Sequence, residues 1–178
     1  TTAYRYDKNG LVTQITDAQG QKAQFAYDAL GNVTKITAPG KAVTLYEYDG
    51  AGRTLSMTDA EGCVTVYGYN EAGQIAWSSV NGNATQYEYD AAGNVTAVTD
   101  AEGRRVTFAY DLAGRMTETV YPDGSKDTTE YDLLGRVVKT TPRTGLATAY
   151  EYDAMGNVLS VTQGDRVTRY EYDLLGRL

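Results

Sequence analysis

The sequence predicts an all-β protein: an antiparallel meander of β-hairpins, one about every 21 residues, forming a curled or spiral sheet. Three observations predict it. Tyrosine followed by Asp recurs as Tyr6-Asp7, Tyr27-Asp28, Tyr48-Asp49, Tyr89-Asp90, Tyr110-Asp111, Tyr131-Asp132, Tyr152-Asp153 and Tyr172-Asp173, with Tyr69-Asn70 filling the remaining register. The intervals are 21 residues, shortened to 20 before Tyr89 and before Tyr172. Four residues after each tyrosine stands a glycine: Gly10, Gly31, Gly52, Gly73, Gly93, Gly114, Gly135, Gly156 and Gly176.

The first strand of each unit ends on the repeat tyrosine. A second aromatic precedes it by two residues (Tyr4, Phe25, Tyr46, Tyr67, Tyr87, Phe108, Tyr150, Tyr170), and Thr129 is the single departure. Thr recurs two residues earlier still, at 2, 44, 65, 85, 148 and 168. A period of two puts these side chains on one face of a strand. The residue between the aromatics is Glu47, Glu88, Glu130, Glu151 or Glu171 in five units, which implies a watered opposite face.

Asp-x-x-Gly then supplies a turn. Aspartate at the first turn position accepts hydrogen bonds from the turn backbone, and a left-handed glycine at the fourth gives a type I turn with a bulge. Asn70 can fill the same role. A β-rich stretch such as Asn94-Val95-Thr96-Ala97-Val98-Thr99 is the returning strand. A second, looser turn is marked by Gly20, Gly40, Gly62, Gly82, Gly103, Gly124, Gly145 and Gly164. The 20-residue intervals are expected to shorten connecting turns, because a deletion inside a strand would reverse its two faces. Seventeen or eighteen such strands laid flat at about 4.8 Å each would extend about 80 Å, so a strongly curved sheet is expected. Cross-strand aromatic rows, at about 0.2–1 kcal/mol per pair, are expected to supply most of the packing.

Composition removes several function classes. The chain has 178 residues, no histidine, and 16 Lys and Arg against 23 Asp and Glu, for a net charge of −7. That balance argues against a nucleic-acid backbone as partner. The absence of histidine removes the commonest general base and metal ligand. Cys63, the sole cysteine, has no histidine to activate it and is read as an inert strand position. The apolar runs are too short to insert in a membrane. No cofactor site, metal site or catalytic residue is indicated, and the chain is read as a non-enzyme. The repeated aspartates are explained by turn chemistry rather than by calcium, which needs several converging oxygens.

Trp77 stands at a position that other units give to Gln14, Lys35, Ser56, Ala97, Glu118, Lys139 or Ser160, and is expected to be partly exposed. Asn32, Asn83 and Asn94 begin Asn-x-Thr sequons, two of which follow from the repeat itself. Arg53, Arg115, Arg136 and Arg177 share a register with Asn32, Asn94 and Asn157, and are read as strand-start residues paired with nearby carboxylates.

The pattern Tyr-x-Tyr-Asp-x-x-Gly-Arg/Asn-Val, as in Tyr87-Glu88-Tyr89-Asp90-Ala91-Ala92-Gly93-Asn94-Val95 and in 170–178, resembles the YD repeat. This is the signature of Rhs proteins, Tc-toxin B and C components and teneurins. The resemblance implies a segment of a YD-repeat β-shell, in which such repeats form a spiral that closes around a hollow space. In bacterial members the shell encloses a toxic polypeptide before delivery, and a secreted or delivered location is implied with it. Residues 1–178 are read as a single tandem array of about eight repeats, partial at both ends, with no toxin, capping or catalytic domain and no Asp-Pro dipeptide. Expected partners are flanking repeats or another copy through exposed sheet edges, and an enclosed polypeptide. A second reading makes the chain a glycan- or cell-surface-binding module that uses its tyrosine ladders.

Overall fold

The computed structural model describes every residue except Leu174, and all its regular structure is β. Two compact units divide the chain, Thr1–Gln86 and Tyr87–Leu178. In the first, the strands are β1 (Ala3–Tyr6), β2 (Val12–Thr16), β3 (Lys22–Tyr27), β4 (Val33–Thr37), β5 (Val43–Tyr48), β6 (Thr54–Thr58), β7 (Val64–Tyr69), β8 (Ile75–Val80) and the start of β9 (Asn83–Tyr89). In the second they are β10 (Val95–Thr99), β11 (Arg105–Tyr110), β12 (Met116–Val120), β13 (Lys126–Tyr131), β14 (Val137–Thr141), β15 (Thr148–Tyr152), β16 (Val158–Gln163) and β17 (Arg166–Arg169). Within each unit every strand pairs antiparallel with its neighbour in sequence, as in β3–β4 and β4–β5, or β11–β12 and β12–β13. The chain is therefore an antiparallel meander of hairpins.

Two kinds of strand pair alternate. Inside a hairpin the ladder runs up to the Asp-x-x-Gly turn and ends in a bulge: Phe25↔Ile36 and Ala26↔Lys35 give way to Tyr27↔Val33. Between hairpins the ladder is shorter. β4 and β5 share only Lys35↔Leu45, Ile36↔Thr44 and Thr37↔Val43, so the strand ends nearest the aspartate turns run on unpaired.

The alternation of faces follows the sequence. In β5, Thr44, Tyr46 and Tyr48 are half-buried while Leu45 and Glu47 are exposed. Among the described residues neither unit has a packed core: the one buried apolar residue is Ala97, at 1% exposure. The chain exposes 12031 Å², against about 8,500 Å² for an ordinary folded monomer of its mass. What burial there is on the glutamate face comes from long side chains lying over small ones. Ser160, 5% exposed, donates to Glu151 at 2.7 Å, and the Arg105–Glu88 ion pair spans the strand that carries Ala97.

The second turns are as tight as the first, which corrects the expectation of a looser connection. Asp17 receives the amides of Gln19 and Gln21 on Oδ1 at 2.9 and 2.8 Å, and Asp59 and Asp100 do the same in their turns. Gly40 is not the left-handed residue of its turn. Lys41 takes that place at φ 65°, because Ala38 rather than Pro39 or Gly40 is the first turn residue. Both 20-residue intervals fall in turns. Val80 pairs directly with Asn83 across a two-residue loop in which Asn81 and Gly82 have φ of 49° and 87°. Gln163 likewise pairs with Arg166, with Gly164 at φ 57°. A two-residue hairpin turn in place of a three-residue one removes one residue without disturbing either strand.

Candidate functional site: the aspartate turn and the tyrosine clip

The recurring site begins with the turn. Each signature aspartate (Asp7, Asp28, Asp49, Asp90, Asp111, Asp132, Asp153, Asp173) accepts on Oδ1 the amides of the residues two and four further on. For Asp49 these are Ala51 and Arg53, both at 2.9 Å. Asn70 accepts from the Gln74 amide at 2.9 Å, so the fourth repeat closes in the same way. The glycines Gly10, Gly31, Gly52, Gly73, Gly93, Gly114, Gly135, Gly156 and Gly176 all sit at φ between 73° and 93°, a conformation that an added Cβ would strain.

The second carboxylate oxygen holds the residue after the glycine. Asn32, Asn94 and Asn157 donate Nδ2 to it, and Arg53, Arg115, Arg136 and Arg177 donate Nε at 2.6–2.7 Å. These bonds hold the carboxyls below their usual range. For Asp90 the Asn94 side chain is the main cause, and for Asp111 the Arg115 side chain. Both oxygens of Asp28, Asp49, Asp90, Asp111, Asp132, Asp153 and Asp173 are thus occupied by the chain itself, whereas in the first turn Leu11 follows the glycine and only Oδ1 of Asp7 is engaged among the described residues.

The repeat tyrosine joins one hairpin to the previous one. Its hydroxyl donates to the backbone carbonyl fifteen residues earlier: Tyr27 to Val12, Tyr48 to Val33, Tyr69 to Thr54, Tyr110 to Val95, Tyr131 to Met116 and Tyr152 to Val137, at 2.7–3.0 Å. Those carbonyls lie where the short ladder between hairpins has already ended, so the phenol takes over a bond the backbone leaves open. Burial pushes the Tyr48 phenol above its ordinary pKa. Tyr46, stacked on Tyr48 at 6.4 Å, has no hydroxyl partner among the described residues. Tyr6 and Tyr172, at the ends of the series, make no such bond among the described residues, and Tyr89 has contacts of its own.

Arginine extends the clip forward. Arg53 lies 4.6 Å over the ring of Tyr69, and Arg115 and Arg136 stand equally over Tyr131 and Tyr152. Arg136 Nη1 also reaches the carbonyl of Asp153 at 3.0 Å. One guanidinium therefore holds its own turn, the next tyrosine and the next turn. Sequence reasoning paired these arginines with carboxylates and missed the ring.

The remaining singular residues also find places. Trp77 is 39% exposed and lies directly across from Gly68, where a Cβ would fall 2.0 Å from the indole nitrogen. Gly68 replaces the usual outward residue because the indole covers that spot. Cys63 is a half-buried free thiol whose amide closes the Asp59 turn. The side-chain nitrogens of Asn32 and Asn94 are both committed to aspartate. Among the described residues no group of three acidic or thiol side chains is placed to hold a metal ion.

The arrangement ties backbone to backbone along a series of repeats. A family profile described as RHS Repeat matches residues 6–43, 27–65, 48–80, 69–105, 89–126 and 131–166. No curated protein sequence matches the chain. Among solved structures, the fold is similar to one titled "Crystal Structure of TcdB2-TccC3-Cdc42", with TM-score 0.74 and 17% identity over 92% of this chain and 10% of that one. A TcdB2-TccC3-TEV structure gives TM-score 0.73 at 17% identity over 98% of this chain and 11% of the other. A Photorhabdus luminescens Tc holotoxin pore structure, mutation TccC3-D651A, gives 0.64 at 17% identity, covering 97% and 13%. The chain spans about a tenth of the length of these solved chains.

Proposed function

This chain belongs to the RHS repeat family, and we propose that it is a wall segment of a YD-repeat β-shell that encloses or scaffolds another polypeptide of the toxin-cargo type. In this reading residues 1–178 work as one tandem array. The signature Tyr, Asp/Asn and Gly residues have a structural role, and the protein is a non-enzyme that acts outside the cell or is delivered from it. The observation that carries it is the lack of a core. A chain whose one buried apolar side chain among the described residues is Ala97 holds itself by repeat-to-repeat clips and leaves both sheet faces available to what lies beside them. Similarity of fold to TcdB2-TccC3 structures supports the same reading.

The glycan-binding alternative gains nothing from the geometry. The clip hydroxyls are committed to backbone carbonyls, and arginine covers three of the rings. The test is protease protection in the full-length polypeptide that its gene encodes. The enclosed portion should resist digestion, and Tyr→Ala changes at Tyr48, Tyr110 and Tyr152 together should expose it. Equal digestion rates with intact and broken clips would refute the proposal.

A further inference from the structure

The seventh hairpin, β13–β14, departs from the repeat at several positions, and the fold gathers them in one place. Tyr121 stands where other second turns have Asp17, Asp59 and Asp100, Asp127 replaces the recurrent threonine, and Thr129 replaces the aromatic. The Tyr121 hydroxyl donates to Asp127 Oδ2 at 2.6 Å, and the Arg143 amide donates to Oδ1 at 2.6 Å. The Arg143 guanidinium lies 4.8 Å over the Tyr121 ring. This clasp ties the turn before β13 to the turn after β14.

Bordering the clasp is an open notch of about 270 Å³, whose lining includes Asp127 of the clasp itself, Thr129, Thr140, Pro142, Leu146, Thr148 and Gln163. In other hairpins the corresponding pair sets a ring against a partner across the strand: Phe25↔Ile36, Tyr46↔Met57 and Tyr150↔Val161. Here the pair is Thr129↔Thr140, two short side chains whose hydroxyls have no partner among the described residues. The ring is missing from this register.

We propose that this notch receives a tyrosine side chain from a separate polypeptide lying on the tyrosine face of the sheet. Three features select that occupant. The register is one that the repeat itself fills with an aromatic, so the flanking backbone already has the spacing a ring needs. The volume exceeds the roughly 150 Å³ known to admit a benzene ring. The Thr129 and Thr140 hydroxyls can meet a phenolic hydroxyl, the Thr148 hydroxyl already accepting from Gln163 at 3.2 Å, while the threonine methyl groups, Leu146 and Pro142 meet the ring. The clasp, with both Asp127 oxygens satisfied, fixes the rim without competing for the guest. The inference stands or falls apart from the shell reading, since a wall segment can lack a guest here and a guest can bind a protein that encloses nothing.

The test is methyl NMR of the whole chain labelled at threonine, titrated with N-acetyl-tyrosinamide and, separately, N-acetyl-leucinamide. The proposal expects saturable ring-current shifts at the methyls of Thr129, Thr140 and Thr148, and much weaker binding of the leucine probe. Thr129→Tyr should fold with an unchanged or higher melting temperature and abolish the response at Thr140 and Thr148. Thr129→Ser, which keeps the notch open, should retain it. Shifts spread evenly over threonines elsewhere in the sheet, equal binding of both probes, or loss of stability in Thr129→Tyr would each overturn the proposal.

Discussion

Removing one hydroxyl from the clip isolates what it contributes. Tyr48→Phe deletes the bond to the Val33 carbonyl, 2.9 Å long, and keeps the ring stacked on Tyr46. The β4–β5 ladder has ended at Lys35↔Leu45, so no backbone amide of β5 replaces the lost donor. An intramolecular hydrogen bond of this kind contributes about 0.5–1.5 kcal/mol net. Val33 is half-buried rather than sealed, so water can partly compensate and the cost should fall near the middle of that range. In a cooperative chain of this size each kcal/mol lowers the melting temperature by about 2–4 °C. Tyr46→Phe is the internal control. It makes the same chemical change on the same face, where no hydroxyl bond is lost, and should leave stability within about 0.3 kcal/mol of the parent. Tyr48, Tyr110 and Tyr152 share no partner, so the triple Phe variant should lose about the sum of its three parts. Urea unfolding followed by circular dichroism reads the parent, the three single clip variants, Tyr46→Phe and the triple variant. Equal effects of Tyr46→Phe and Tyr48→Phe would refute the clip.

Three further outcomes follow from the same geometry. Arg136→Ala should cost more than Arg136→Asn in urea unfolding, because Asn can still hold Asp132 as Asn94 holds Asp90. The losses common to both are the cation–π contact with Tyr152, about 0.5–1 kcal/mol, and the Nη1 bond to the Asp153 carbonyl. Gly68→Ala should displace the indole of Trp77 and red-shift the emission of the only tryptophan, and Gly68→Ala with Trp77→Ala should recover most of the stability lost by Gly68→Ala alone. Turn carboxylates such as Asp28, Asp90, Asp111 and Asp153 have folded-state pKa values below the ordinary 3.8, so their stabilisation is complete above that value and drains away as pH falls through the lowered ones. The urea midpoint should therefore fall as the pH drops below about 4. Asp90→Asn, which keeps the turn acceptor as Asn70 does but has no charge to lose, should flatten that acid limb.

Much of this was legible in the chain because the repeat samples each position many times. The tyrosine, aspartate and glycine registers located every first turn, and Asn70 showed that the turn needs an acceptor oxygen rather than a charge. The clip itself had a trace: Phe25 and Phe108 stand at the earlier aromatic position, but phenylalanine never stands at the repeat position, as expected where the hydroxyl is used. Its acceptor could not be read, since a carbonyl fifteen residues away belongs to no side-chain pattern. Gly68 and Trp77 each looked like an isolated exception until the register placed them opposite each other. Tyr121, Asp127 and Arg143 are spread over 23 residues, and only the turns on either side of β13–β14 bring them together. The second turns were misjudged as loose because their residues vary, although backbone hydrogen bonds close them equally well when the first residue is Ala38 or Tyr121.

The central claim is that neighbouring repeats hold one another through clips and turns, without a buried core. The heat-capacity change of unfolding, measured by scanning calorimetry, tests it most directly because that quantity tracks apolar surface released to water. An ordinary globular chain of 178 residues would give about 2.1–2.7 kcal/mol/K. The clip-and-turn structure predicts a value clearly below that interval, and one at or above it would contradict the account.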